Sequence, residues 1–118
     1  YKKSKLANVM FTYELAKRVK DNGITANCLH PGFVSTNFGK NNNFLWRNVI
    51  RVAMWLTAIS VRDGAKTSIH LACSDEVKDI TGRFFANSQI KKGSSKAKNE
   101  EHNRKLWELS EEFVEKFV

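Results

Sequence analysis

No stretch of this sequence is long and apolar enough to cross a bilayer. The longest uncharged, mainly apolar run is VAMWLTAISV at 52–61, whereas a spanning helix needs about 20 such residues. Cysteine is scarce. Cys28 and Cys73 stand far apart, with neither C-x-x-C spacing nor histidines at zinc-ligand spacing, so no metal site is expected. They read as small buried thiols in a reducing compartment, with one disulfide between them left open. Proline occurs once and glycine six times. No G-x-x-x-G-x-G run is present, so these residues carry no glycine-rich turn for a dinucleotide. The chain opens on Tyr1 without an initiating methionine, and no succession of basic, apolar and small-residue regions marks a secretory leader. At 118 residues we expect the C-terminal part of something longer, with residues 1–118 forming a portion of a single domain.

The chain does have ordinary globular composition and a surplus of positive charge. Apolar residues make up 42% and charged residues 27%, with a net charge of +8. A surplus of that size raises nucleic acid or an anionic surface as a partner. Its distribution argues against nucleic acid. Residues 1–50 carry eight Lys or Arg against two acids, 51–99 nine against four, and 100–118 three against six. The densest run, KKGSSKAK at 91–98, contains Gly and Ser and reads as a solvated loop. No basic stripe alternates with exposed aromatics as a base-stacking surface would.

Leu6, Val9, Met10, Tyr13, Ala16 and Val19 recur at steps of three and four, which predicts a helix from Tyr1 to about Lys20. KDNG ends it, with Gly23 suited to a left-handed cap. ITANCLH at 24–30 comes next as a short strand closed by Pro31 and Gly32. Placed directly after a capped helix and offering little polar face, it fits a buried parallel strand of an α/β sheet. Residues 33–43 then form a loop beyond the strand's carboxyl end, where α/β sheets bind ligands. A bulky apolar helix is expected over 44–60, with Arg47 and Arg51 one turn apart. A further helix over 61–74 would bury Ala65, Ile69, Ala72 and Cys73. GRFFAN at 82–87 reads as a second strand after a Gly turn. Leu106, Leu109, Phe113 and Phe117 mark a final acidic helix over 100–117. Two strands are marginal alone, so most of the sheet is expected to be encoded upstream of residue 1.

On a helix, positions 1 and 5 lie one turn apart on the same face. A phenol titrates near 10, too high to trade protons at neutral pH, and a nearby cation favours its ionised form. A Tyr-x-x-x-Lys pair can therefore exchange a proton with an alcohol or a carbonyl. Its significance rests on the residues downstream: a capped helix, the strand TANCLHPG and a PG-x-V-x-T loop.

With YKKSK, GITANCLHPGFVSTNF and DGAKTSIHLACSDEVKDITGRFF in place, the whole chain resembles the short-chain dehydrogenase/reductase family from its active-site tyrosine onward. SKLANVMFTYELAKR, HPG, LACS and LWELSEE further resemble its retinol dehydrogenase-like branch. The resemblance implies the C-terminal part of a Rossmann-type doubly wound parallel sheet with flanking helices, the N-terminal dinucleotide-binding half being absent. It implies hydride transfer between a nicotinamide cofactor, NADP or NAD with NADP favoured, and a lipophilic alcohol or carbonyl such as a retinoid. Tyr1 would be the general acid/base. Lys5 would favour the phenolate and hydrogen-bond the nicotinamide ribose. Pro31, Gly32, Val34 and Thr36 would border the nicotinamide. The family's catalytic serine, supporting asparagine and Gly-rich turn belong upstream of the tyrosine, so the 118 residues alone are expected to be inactive. The resemblance leaves room for membrane association and homo-oligomerisation of the full-length protein. It implies an intracellular location, cytoplasmic or on a membrane facing the cytosol.

Blander readings stand beside these. Pro31 and Gly32 could simply end a strand, and Thr36 could cap a helix. Arg47 and Arg51 suit a solvated face as well as an anionic substrate or membrane surface. Trp46 and Trp55 suit core packing as well as a lipophilic pocket, and His30 and His70 read as structural. A competing function is a noncatalytic module that presents the Trp-rich 44–60 segment and the basic surface to a partner protein or a lipid surface.

Overall fold

The computed structural model describes residues 1–32 and 60–117. Helix α1 spans Lys2–Arg18. A single 3-10 turn, Lys20–Asn22, then leads into Gly23 at φ 68°, the left-handed cap expected from KDNG. Strand β1 comes next at Cys28–His30. Helix α2, Val61–Cys73, starts at Ser60, whose Oγ accepts from the Asp63 amide at 3.0 Å and donates to the Asp63 carboxylate at 2.7 Å. After it stand strands β2, Phe84–Ala86, and β3, Gln89–Lys91. Helix α3, Glu100–Glu115, is capped by Asn99, which accepts from the His102 amide at 2.9 Å.

The sheet order is β1-β2-β3. β1 and β2 run parallel, pairing Cys28 with Phe84, Leu29 with Phe85 and His30 with Ala86. This is the α/β architecture with a parallel pair that the sequence predicts. β3 was not foreseen: Asn87 and Ser88 turn the chain with φ of 53° and 57°, and β3 returns antiparallel to β2. Positive φ at both central residues is the geometry of a two-residue hairpin, and Asn tolerates it.

The strand expected over 24–30 pairs through its ladder only at Cys28–His30. Upstream, a backbone bond from the Gly82 amide to the Ala26 carbonyl at 2.8 Å is joined by side-chain bonds. Thr81 Oγ1 accepts from the Ala26 amide at 3.0 Å, and Asn27 Nδ2 donates to the Ile80 carbonyl at 2.6 Å. The Asn27 Oδ1 accepts from the Arg83 amide at 3.0 Å, so Asn27 bridges to both sides of the approach to β2.

The core contains Phe85, 2% exposed, with Ala16, Val77 and Ala97 also buried. α2 meets it through a different face from the one expected. Gly64 and Thr67 are buried, whereas Ile69 is 59% exposed and Ala72 and Cys73 are also exposed. Thr67 fixes this rotation, because its Oγ1 accepts the Ser88 amide of the hairpin turn at 3.0 Å. Cys73 is thus an exposed thiol rather than a buried one, and both cysteines are free.

α1 and α3 pack against each other. Phe11 and Trp107 stack with centroids 4.8 Å apart, and the Arg18 guanidinium lies 4.7 Å from the Trp107 ring centroid. Arg18 is held there by Glu14, a buried carboxylate that accepts from Arg18 Nε at 3.0 Å. Leu109 and Phe113 on α3, and Phe117 just beyond it, are exposed, and contact falls instead on the neighbouring face with buried Asn103 and half-buried Leu106 and Trp107. Within 91–98, expected as a loop, Lys91 ends β3 and Ser95–Lys98 forms a 3-10 turn that buries Ala97. Among the described residues, no helix is long and apolar enough to cross a membrane.

Candidate active site

Tyr1 is the N-cap of α1 and is 81% exposed. Its carbonyl accepts from the Lys5 amide at 3.0 Å and from the Ser4 hydroxyl at 2.8 Å, which ties the first turn down at the residue of interest. Lys5 returns over it: the ammonium nitrogen lies 5.6 Å from the Tyr1 ring centroid. The spacing of four thus brings the two functional groups together as a helix requires, with the cation at the face of the ring.

Pro31 and Gly32 lie just beyond the carboxyl end of β1. Gly32 adopts φ 85°, a conformation a side chain would strain, and its amide donates to His30 Nδ1 at 2.8 Å. His30 therefore has a definite structural job, capping the turn that succeeds its own strand. Val34 and Thr36 lie outside the described residues, as do the expected 44–60 helix and Phe44, Trp46, Arg47, Arg51 and Trp55.

The direction of α1 relates the two halves of the candidate site. A Cβ at Gly82, just before β2, would stand 3.4 Å from Ala16, so the end of α1 lies beside the start of the strands. Thr12 and Tyr13, further back along the helix, neighbour Cys28. α1 therefore runs antiparallel to β1. Traced back to its start, it delivers Tyr1 and Lys5 toward the edge where β1 ends in Pro31 and Gly32. Burial pushes the Cys28 thiol up, against a hydrogen bond with Thr12. Burial raises the Tyr13 hydroxyl also, Cys28 adds to this, and Arg83 opposes it. Among the described residues, no group of His, Cys, Asp or Glu could hold a metal ion.

Sequence reasoning did not anticipate Asn27 or His30 as positioning residues. Asn27 carries a faint signal, a polar residue inside an otherwise apolar strand. His30 gives none, because its partner is a backbone amide two residues on.

Comparison with known proteins finds relatives that match nearly all of the chain. No protein-family model matches the chain. Retinol dehydrogenase 14 of Mus musculus is 41% identical over 116 residues, which is 97% of this chain and 35% of that protein. Retinol dehydrogenase 11 of Homo sapiens is 34% identical over 113 residues, 93% of this chain and 34% of that protein. Dehydrogenase/reductase SDR family member 13 of Bos taurus is 33% identical over 111 residues, 93% of this chain and 29% of that protein. Along nearly its whole length the chain is thus similar to members of the short-chain dehydrogenase/reductase family. It resembles the retinol dehydrogenases within it and spans about a third of the length of the curated relatives it matches. The parallel β1-β2 pair, with α1 leading into β1, fits a part of that family's α/β sheet. Nothing in the matched names supports the noncatalytic interaction module considered above.

Proposed function

We propose that the protein carrying this chain is an NAD(P)-dependent alcohol/carbonyl oxidoreductase in which Tyr1 is the general acid/base. The observation that carries this reading is the Lys5 ammonium held 5.6 Å from the Tyr1 ring centroid on the turn that opens α1. In reduction, the Tyr1 hydroxyl gives its proton to the substrate's carbonyl oxygen; in oxidation, the phenolate takes it from the alcohol. Lys5 supports the phenolate with its charge and retains N–H donors for the hydroxyls of a sugar.

The described turn fits the nicotinamide it would border. Pro31 offers no amide, Gly32 has no side chain, and the Gly32 amide is already satisfied by His30, so this backbone offers close approach rather than a donor. Main-chain groups of Val34 and the Thr36 hydroxyl would supply the polar contacts, completing the set Tyr1, Lys5, Pro31, Gly32, Val34 and Thr36. When bound, the nicotinamide supplies or accepts the hydride. We favour a retinoid or similar lipophilic substrate on the names of the relatives, and NADP over NAD on the resemblance of the sequence motifs alone. This reading makes residues 1–118 the C-terminal portion of one Rossmann-type domain. An intracellular protein, cytoplasmic or facing the cytosol from a membrane, accords with two free thiols.

Tyr1→Phe in the full-length protein tests the assignment. Turnover of retinal should fall by about 10²- to 10⁴-fold while NADP affinity changes little. Near-normal turnover would refute the role of Tyr1.

A further inference from the structure

A cleft of about 600 Å³ opens at the other end of α1, between its last turn, the approach to β2, the end of β3 and the Ser95–Lys98 turn. Ala16, Phe84 and Ile90 give it apolar walls. Six cations line it, Lys17, Lys20, Arg83, Lys91, Lys92 and Lys98, against one carboxylate, Glu100. That carboxylate is taken: Lys17 holds Glu100 at 3.0 Å. Lys91 donates to Gln89 Oε1 at 2.9 Å. Among the described residues, Lys20, Arg83, Lys92 and Lys98 have no carboxylate partner.

These four come from three places in the chain, Lys20, Arg83 and the basic run 91–98 that holds Lys92 and Lys98, and folding brings the three together. A concave, partly apolar wall focuses their field and concentrates anions within it. A single carboxylate would offset one cation; a phosphate brings about −1.5 to −2 charges and three acceptor oxygens. We propose that this cleft binds a ligand bearing clustered phosphates. α1 rises about 1.5 Å per residue, and its cleft-lining residues Tyr13, Ala16 and Lys17 put the cleft roughly 18 to 24 Å along the helix from Tyr1. The proposal is therefore independent of the reaction assigned to Tyr1 and stands if that assignment fails.

Such phosphates can be soluble or belong to lipid headgroups, and two probes separate the sources. The full-length protein is titrated with inorganic tripolyphosphate by calorimetry near physiological salt, and cosedimented with phosphatidylcholine vesicles containing phosphatidic acid. Lys20→Glu/Lys98→Glu changes two exposed cleft residues; Lys3→Glu/Lys78→Glu makes the same charge change at exposed positions outside it. We expect saturable binding that the cleft pair weakens at least about tenfold, as loss of charge-assisted contacts implies, and that the outer pair changes by less than about twofold under salt screening. Tripolyphosphate binding without vesicle binding identifies a soluble ligand. Vesicle binding that tripolyphosphate displaces identifies a headgroup. Absence of saturable binding to both probes, or equal losses in the two variants, overturns the proposal.

Discussion

Individual side chains in this protein are constrained by what stands opposite them, and Gly93 shows this most directly. A Cβ placed there would collide with the Tyr13 hydroxyl. Gly93→Ala should cost about 1–3 kcal/mol of stability in urea titrations, the usual cost of overpacking. Adding Tyr13→Phe should recover much of that loss, since only the hydroxyl makes the collision. The two thiols differ in the same local way. Cys73 is exposed, while Cys28 is half-buried and its thiol is raised by burial. Brief iodoacetamide treatment near pH 8 should therefore label Cys73 well before Cys28 in peptide mapping. The direction of the Cys28 shift also links stability to pH. The folded state keeps its proton to higher pH than the unfolded state does, so this group's contribution to stability declines as pH rises from the ordinary thiol range through the raised value.

Elements are positioned by polar pins as much as by apolar faces. α2 presents Thr67 to the β2-β3 turn, and the Thr67 hydroxyl, 3% exposed as a residue, accepts the Ser88 amide. Thr67→Ala leaves that amide without its partner and should cost about 1–3 kcal/mol by denaturant unfolding, whereas Thr67→Ser should retain most of the stability. Equal effects of the two substitutions would remove the hydroxyl from this role. The same pin accounts for the face of α2. Helical spacing nominates Ala65, Ile69, Ala72 and Cys73 as a small, apolar side, yet the hydrogen bond to the hairpin turns Gly64 and Thr67 inward. Trp107 plays a comparable part between α1 and α3, set between Phe11 and an Arg18 that Glu14 holds in place.

At the scale of the whole molecule, the two ends of α1 divide the chemistry. Tyr1 and Lys5 open the helix toward the edge where β1 ends; the basic cleft lies where the helix stops. The 118 residues contain no glycine-rich dinucleotide turn. The isolated chain should consequently show no saturable NADP binding by fluorescence titration at concentrations where the full-length protein is saturated. Comparable affinity in the two would mean that residues 1–118 alone supply the dinucleotide site.

The parallel α/β class, the long helices, the capped end of α1 and the pairing of Tyr1 with Lys5 were legible in the linear order of residues. Each depends on short-range rules: helical period, turn preference and the one-turn proximity of positions four apart. The family resemblance was legible because several such local motifs occur in one order. Contacts between distant segments were not. β3 depends on Asn87 and Ser88 both accepting left-handed geometry, and the face of α2 depends on one hydroxyl meeting a turn 21 residues away. His30 and Asn27 acquire their tasks from backbone amides whose positions exist only after folding. The four cleft cations without a carboxylate partner among the described residues are spread from Lys20 to Lys98, so periodicity could not group them. Local conformation and the pairing of Tyr1 with Lys5 are thus written in the order of residues along the chain. Which faces are buried, and where the positive charge converges, is settled only by packing between segments far apart in that order.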